Sequence, residues 1–576
     1  MKERLQNLLE NKKFHYLCIF FISLLVAIPL IGLKIRYTHD GALHILRLMG
    51  TKLSLNYTTF PHLVIPFFCD NFGYSINAFY APMATFLPYL FTYLPILYSD
   101  ALKIFSYCTI LFSGITMYHC AYEITQKRKI ALLASLFYML APYRSEDIYT
   151  RFALAEFTTF VFIPIIFQGL HNLLEGDKTK HWYIAIGATG LVLTHTITTF
   201  YVALFCLVYV ICHWSRKAWK DTFPKLIWNT IFILAMTAFF WVVLLEFRNF
   251  TQYTFFDQEL MGTNQKAVVN QAIQWEEFLL DKNGDIRDVS YRLGKFTIVL
   301  LVLTLLAFRE HRKDKTYVIF NGFVLMSLFM CTKMFPWKEM PAIFWQIQFP
   351  WRMLGEFVFF SSILIAQNCE GIWNLLKGKK MGRIAFAIVC VVLLLSQYQK
   401  SLDRYATLQN LGRKEDKVYE EAITQNLSFS IFFINRDYLP YQAIKHQDEI
   451  DTKPDQVFVI EGEANIREQE KRGTNLSCQL ENVEKETKLE IPYFYYPGYI
   501  VTLKNEEEEI ILPQEESEYG MIAVTIPTDM ETGKITVRYQ GTGLEKASYG
   551  FSLLSYFVFL AMIIREKKRE KQGETA

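Results

Sequence analysis

Apolar stretches of membrane-spanning length recur along this chain. A helix needs about 20 apolar residues to cross the hydrocarbon core, and bundles accommodate shorter runs. Such runs fall at 15–33, 101–122, 130–143, 153–170, 182–196, 198–213, 225–246, 293–308, 317–332, 353–372, 384–399 and 548–564. Between them lie seven basic clusters: Lys2–Lys13, Gln126–Lys129, Asp177–Lys180, Ser215–Lys220, Arg309–Lys315, Lys377–Arg383 and Arg565–Lys571. Short Lys/Arg-rich loops stay in the cytoplasm. Placing all seven inside threads the chain consistently, with about twelve spans and both termini cytoplasmic. The stretch 80–98 is also apolar but carries Pro82, Pro88 and Pro95. Counting it as a span would put Gln126–Lys129 outside, so it reads as an interfacial or re-entrant segment on the outer face. The first stretch is too long for a signal-peptide core and reads as an uncleaved helix.

The pattern changes from 401 to 547. Alternating segments such as Gln456-Val-Phe-Val-Ile460 and Gly533–Tyr539, with turn residues between, predict strands. The acidic run Asn505–Glu509 reads as a solvated hairpin tip. The expected fold is an all-α polytopic membrane bundle of about twelve transmembrane helices, with a small extracytoplasmic β-domain before the last helix. Residues 1–400 form the transmembrane domain, with a long first outer loop at 34–100. Residues 401–547 form the β-rich domain, and 548–576 the last helix and basic tail.

Composition agrees with a membrane protein: 52% of the residues are hydrophobic and only 20% charged, against roughly 25% charged in soluble domains. A net charge of +3 gives no footing for a nucleic-acid partner. Cys18, Cys108, Cys206, Cys212 and Cys390 lie in apolar runs and read as inert thiols. Cys69 and Cys478 lie outside, and nothing in the sequence supports pairing them. No Walker, GxSxG, HExxH or dinucleotide fingerprint occurs, so ATP-driven transport and soluble-type hydrolysis gain no support.

Ionisable groups at outer membrane ends are costly and mark candidate sites. The first cluster, Thr38-His39-Asp40-Gly-Ala-Leu-His44-Ile-Leu-Arg47, follows the first helix directly. Asp40 and His44, four apart, suit either a divalent metal or proton transfer, or else Asp40 is an N-cap on an interfacial helix. The second is Pro142–Arg151 followed by Glu156. It is either a salt-bridged clamp or a phosphate site using Arg144 or Arg151. His195 interrupts the apolar turn 193–199, and Trp345–Arg352, with Gln348 and Trp351, marks another helix entry. Arg352 there is either a headgroup anchor or a holder of lipid phosphate. Glu246 and Glu356 have less support.

Several segments together resemble a bacterial family of large GT-C-like membrane proteins. They are His39–His44, Phe72-Gly-Tyr with Phe79-Tyr80-Ala-Pro82, Tyr143-Arg144 with Arg151 and Glu156, Leu193-Thr-His195, Gln348-Phe-Pro-Trp351-Arg352, and Pro492–Tyr499. Some of that family carry a pterin-synthase-related label, and some relatives are implicated in glycosylating cell-wall polymers such as lipoteichoic acid. The resemblance implies a glycosyltransferase using a polyprenyl-phosphate-linked sugar on the outer face of a bacterial plasma membrane. A cell-envelope polymer or lipid would be the acceptor. It implies Asp40 as the catalytic carboxylate, and Arg352, Arg151 and Arg144 as donor-phosphate ligands. His44, His195, Glu156, Tyr80, Gln348 and Trp351 would line the cavity or acceptor site. Many GT-C enzymes show paired acidic residues in the first loop. Here His39 precedes Asp40, which puts a paired-carboxylate metal site in doubt, while Asp40 with His44 remains an alternative metal pair. A flippase of lipid-linked precursors and a non-enzymatic envelope scaffold are the rival readings.

Overall fold

The structure, a computed structural model, describes residues 10–57, 63–279, 289–291, 293–409, 416–425, 436–483, 486–528 and 530–571. The first nine residues, with most of the N-terminal basic cluster, lie outside them.

Fifteen main helices follow in chain order. They are α1 (Lys12–Gly32), α2 (Gly41–Leu53), α3 (Met83–Phe91), α4 (Tyr98–Thr125), α5 (Arg128–Met139), α6 (Leu154–Leu174), α7 (Tyr183–Val192), α8 (Thr196–Cys212), α9 (Arg216–Met236), α10 (Ala238–Phe250), α11 (Gly294–His311), α12 (Lys315–Cys331), α13 (Leu354–Leu375), α14 (Lys380–Gln409) and α15 (Gly543–Lys571). A helix lies at every predicted span. Among the described residues, however, only α1, α4, α6 and α15 are by themselves long and apolar enough to cross a membrane. Helices α5 and α7 have 12 and 10 residues. At 1.5 Å per residue they extend about 18 and 15 Å, short of a roughly 30 Å core. Helix α3, with nine residues and Pro88 inside it, also falls short of a span.

The predicted span 225–246 is broken: α9 and α10 meet at a 65° bend and together make at most a fifth crossing. The reason lies far off in sequence. Ser552 of α15 accepts a hydrogen bond from the Phe239 N–H at 2.9 Å and donates to the Ala235 carbonyl at 3.0 Å. The backbone groups freed by the break are thereby satisfied. Glu246 accepts from Thr542 at 2.8 Å and so ties α10 to the approach to α15. Helices α6 and α7 cross at small residues. A Cβ on Gly187 would lie 2.5 Å from the Ile166 backbone nitrogen, so the close approach depends on its absence.

The β region holds nine antiparallel strands in two sheets. They are β1 (Phe458–Glu461), β2 (Asn465–Arg472), β3 (Asn475–Glu481), β4 (Lys488–Phe494), β5 (Tyr499–Lys504), β6 (Glu509–Leu512), β7 (Gln514–Glu516), β8 (Met521–Thr525) and β9 (Gly533–Tyr539). One sheet runs β1-β4-β8-β7 and the other β2-β3-β9-β5-β6. The acidic run lies at the β5–β6 hairpin. Leu489 and Ile491 of one sheet and Val501, Leu503, Ile535 and Val537 of the other share a single apolar core. Cys69 and Cys478 are both buried in that same core.

Part of the segment between α1 and α4 belongs to this second core. Phe494 N–H bonds the Phe72 carbonyl at 3.1 Å, and Thr474 N–H bonds that of Tyr57 at 3.0 Å. Lys471 donates to the carbonyls of Asn71 and Pro492, both at 2.8 Å. Helix α2 lies at the junction. Its Ile45 and Leu48 pack into the helical core, while Leu46 and Met49 pack into the β-region core. An element wedged between two cores holds whatever stands at its N-terminus in a fixed place.

Candidate functional site

Asp40 stands at that N-terminus. The segment leading to it is zipped onto the connector between α5 and α6: His39 and Asp40 donate backbone bonds to the carbonyls of Thr150 and Arg151, at 3.3 and 2.9 Å. Asp40 takes the position before α2, but its side chain caps nothing. Among the described residues its carboxylate makes no hydrogen bond or ion pair. The N-cap alternative therefore does not account for it. The charges acting on it are those of Arg151, Arg352, His39 and Glu156. Burial pushes its carboxyl up from the ordinary value, and Arg151 and Arg352 pull against that.

Those arginines belong to a closed network. The connector ends in a single wide turn of π-helix, Asp147–Arg151, and Phe152 follows in the left-handed region at φ 53°. The turn aims Arg151 back at Asp147, with which it pairs, and at Glu156 on the first turn of α6, 2.9 Å away. Glu156 also accepts from the Tyr143 hydroxyl at 2.5 Å and pairs with Arg352 at 3.3 Å. Arg352 is held in turn by the Ile347 carbonyl at 2.7 Å and the Gln348 side chain at 3.0 Å. Gln348 has φ 59°, and its amide donates to the Met261 carbonyl at 3.1 Å. Trp351 lies against Arg151, with the guanidinium 4.6 Å from its ring centre. Burial, then the adjacent Glu156, raises the Asp147 carboxyl well above the carboxylate range.

Most of the residues predicted for the site thus come together: Asp40, Arg151, Glu156, Gln348, Trp351 and Arg352, with Tyr80 in the field of Asp40, Arg352 and Glu156. His195 is in the field of Arg352, Glu156 and Arg151. Its Nδ1 is engaged in capping α8 through Thr198, 2.7 Å from the hydroxyl. Arg144 lies apart. It is fully buried, donates to the Thr109 carbonyl at 3.2 Å and faces the rings of Tyr138 and Phe160. Glu356, in the first turn of α13, is buried, and its Oε2 has no hydrogen-bond partner.

Asp147 lies inside the charged connector without a role of its own in the sequence reading, and Tyr143 enters that reading only through the family resemblance. The four-residue spacing of Asp147 to Arg151 was the available signal. Tyr438, whose field includes Tyr80, Arg47 and Asp40, gave no sequence signal at all. As for a metal, no three His, Cys, Asp or Glu side chains gather among the described residues. Asp40 and His44, four apart in sequence, would supply at most two donors, so a cation there would take its remaining ligands from substrate or solvent.

No protein-family model matches the chain. An uncharacterized protein of Lactococcus lactis subsp. cremoris (strain MG1363) is 23% identical over 610 aligned positions, which cover 98% of this chain and 97% of that one. Among solved structures, the arabinofuranosyltransferase AftD from Mycobacteria is similar over 67% of this chain and 27% of its own, at 12% identity and a TM-score of 0.44. The archaeal oligosaccharyltransferase AglB from Archaeoglobus fulgidus, solved with an inhibitory peptide and a dolichol-phosphate, is similar over 69% of this chain and 56% of its own, at 13% identity and a TM-score of 0.40. The chain therefore spans about a quarter of the first and little more than half of the second. The described protein is a mostly helical chain with four to five candidate membrane spans and a β region before its last helix, distantly similar in structure to these two glycosyltransferases.

Proposed function

We propose that the protein is a multi-pass plasma-membrane glycosyltransferase of the GT-C type. It moves a sugar from a polyprenyl-phosphate donor to a cell-envelope polymer or lipid acceptor on the extracytoplasmic face, with both termini cytoplasmic. The observation that carries this is the Asp40 carboxylate: without a partner among the described residues, fixed by its backbone to the connector, and in the field of the paired arginines.

Asp40 takes the proton of the acceptor hydroxyl as its oxygen attacks the anomeric carbon. The bond from that carbon to the phosphate oxygen breaks, and its electron pair leaves with the polyprenyl phosphate. Arg352 and Arg151 face the charge that develops there. Asp147 pairs with Arg151, and Glu156 with both guanidiniums, which holds the two arginines in place for the phosphate. Arg144, packed among the helices, takes no part in this step.

The test uses purified protein in lipid nanodiscs, radiolabelled undecaprenyl-phosphate sugars and isolated envelope polymers. Wild type should transfer label, and Asp40→Asn should lose about a thousandfold in rate with a melting temperature no lower than that of wild type. An Asp40→Asn protein as active as wild type would refute the assignment.

A further inference from the structure

Arg47 is a buried cation with no counter-ion among the described residues. It lies in α2, with 1% of its surface exposed. Its Nε donates to Asn77 at 3.0 Å, its Nη2 donates to the Tyr80 carbonyl at 3.3 Å, and the guanidinium lies 4.2 Å from the centre of the Tyr80 ring. Its Nη1 has no hydrogen-bond partner, and no described carboxylate pairs with it. Burial brings its pKa down only to about 10, so it keeps its charge at neutral pH. His44 lies one turn earlier on the same helix face. It is buried, its Nε2 is also without a partner, and its ring meets Tyr80 edge-on at 6.1 Å. Burial holds this imidazole neutral, at about 3. A neutral ring protonated on Nε2 is a donor.

An uncompensated buried guanidinium and an orphaned ring nitrogen on one helix face are each costly. They stand in contrast to Arg151 and Arg352, whose charges meet Asp147 and Glu156. Tyr80, whose ring both side chains are set against, is only half-buried. We propose that Arg47 and His44 bind a phosphoryl group of the acceptor, distinct from the donor phosphate at Arg151 and Arg352. A guanidinium and a neutral ring N–H, both set against the Tyr80 ring, are donors that suit an oxyanion. The other groups in the field of Arg47 are Tyr74 and Tyr438. They come from the segment between α1 and α4 and from the segment before the strands. Tyr80 and Tyr438 also adjoin Asp40. Seven residues of helix separate Asp40 from Arg47, about 10 Å. The reactive hydroxyl would thus lie several bonds from the phosphate. The acceptor role rests on the transferase reading; the binding does not.

Inorganic phosphate and glycerol 3-phosphate are titrated calorimetrically into the full-length protein in nanodiscs, with glycerol as the neutral control. Both anions should bind saturably and glycerol should not. Arg47→Gln should weaken binding about 10- to 100-fold, and Arg47→Lys should weaken it less. Arg352→Gln and Asp40→Asn should bind as wild type does, and undecaprenyl phosphate should not displace the anion. Absent binding by wild type, unaltered binding by Arg47→Gln, or loss in Arg352→Gln instead would overturn the proposal. Displacement by undecaprenyl phosphate would assign the group to the donor and overturn the acceptor assignment. If Arg47→Gln melts early, the Arg47→Lys comparison decides. Failure of the transferase reading would show as absent sugar transfer with anion binding intact.

Discussion

Gly41 supplies a test of whether the placement of Asp40, and not merely its presence, matters. A Cβ at this position would lie 2.0 Å from the Ile35 carbonyl oxygen and 2.3 Å from the Thr38 hydroxyl, where ordinary contact begins at 3.4 Å. That oxygen cannot simply turn away, because it accepts from the Thr38 N–H at 3.0 Å and from its hydroxyl at 2.6 Å. Relief needs a shift of about 1.4 Å in the segment that carries Asp40, and a misplacement of about 1 Å costs on the order of a hundredfold in rate. Helix propensity alone points the other way, since Ala is favoured over Gly by about 1 kcal/mol. Gly41→Ala should therefore melt near wild type yet transfer sugar about a hundred times more slowly, as read by label transfer and thermal melting in nanodiscs. A variant that transfers within threefold of wild type would refute the argument that this tight turn positions the carboxylate.

The remaining predictions concern charge and packing. Glu156→Gln leaves Arg151 and Arg352 with too little negative charge and should cost about 3–5 kcal/mol of stability, seen as a lower denaturation midpoint; an unchanged midpoint would show that the network is not coupled. Asp40 must be ionised to accept a proton, and burial raises its pKa. The transfer rate should therefore fall with acidification through a limb above the roughly 3.9 of free aspartate, and a limb at or below that value would contradict the assignment. Stability runs in the opposite sense: this group's contribution is complete below the free value and is lost as pH rises through the raised one. Gly187→Val should force α6 and α7 apart and lower the yield of folded protein, measured by size-exclusion chromatography in detergent.

Much of the architecture was legible because apolar runs and alternation are local signals. The run 15–33 became α1, and Gly533–Tyr539 became β9. The bend at Thr237 was not legible, since the hydroxyl that satisfies it belongs to Ser552, in the last helix. Within the site, Glu156, Arg151 and Arg352 showed as charges at the ends of predicted helices, but their mutual pairing depends on a π-turn that no spacing rule predicts. The N-cap alternative for Asp40 was reasonable from sequence, and it fails because the backbone bonds to Thr150 and Arg151 set where that residue sits. Arg47 was visible as a residue but not as a lone cation, because that depends on which side chains from distant segments surround it.

The central claim is that Asp40 drives sugar transfer on the outer face. Proteoliposomes loaded with labelled undecaprenyl-phosphate sugar, with acceptor supplied to the face that bears the β region, allow label in the acceptor and label crossing the bilayer to be counted in one experiment. Label should appear in the acceptor with wild type and not with Asp40→Asn, and no protein-dependent crossing should accompany it. Label that crosses the bilayer without entering the acceptor, equally in both proteins, would contradict the account and mark the protein as a carrier of lipid-linked precursors.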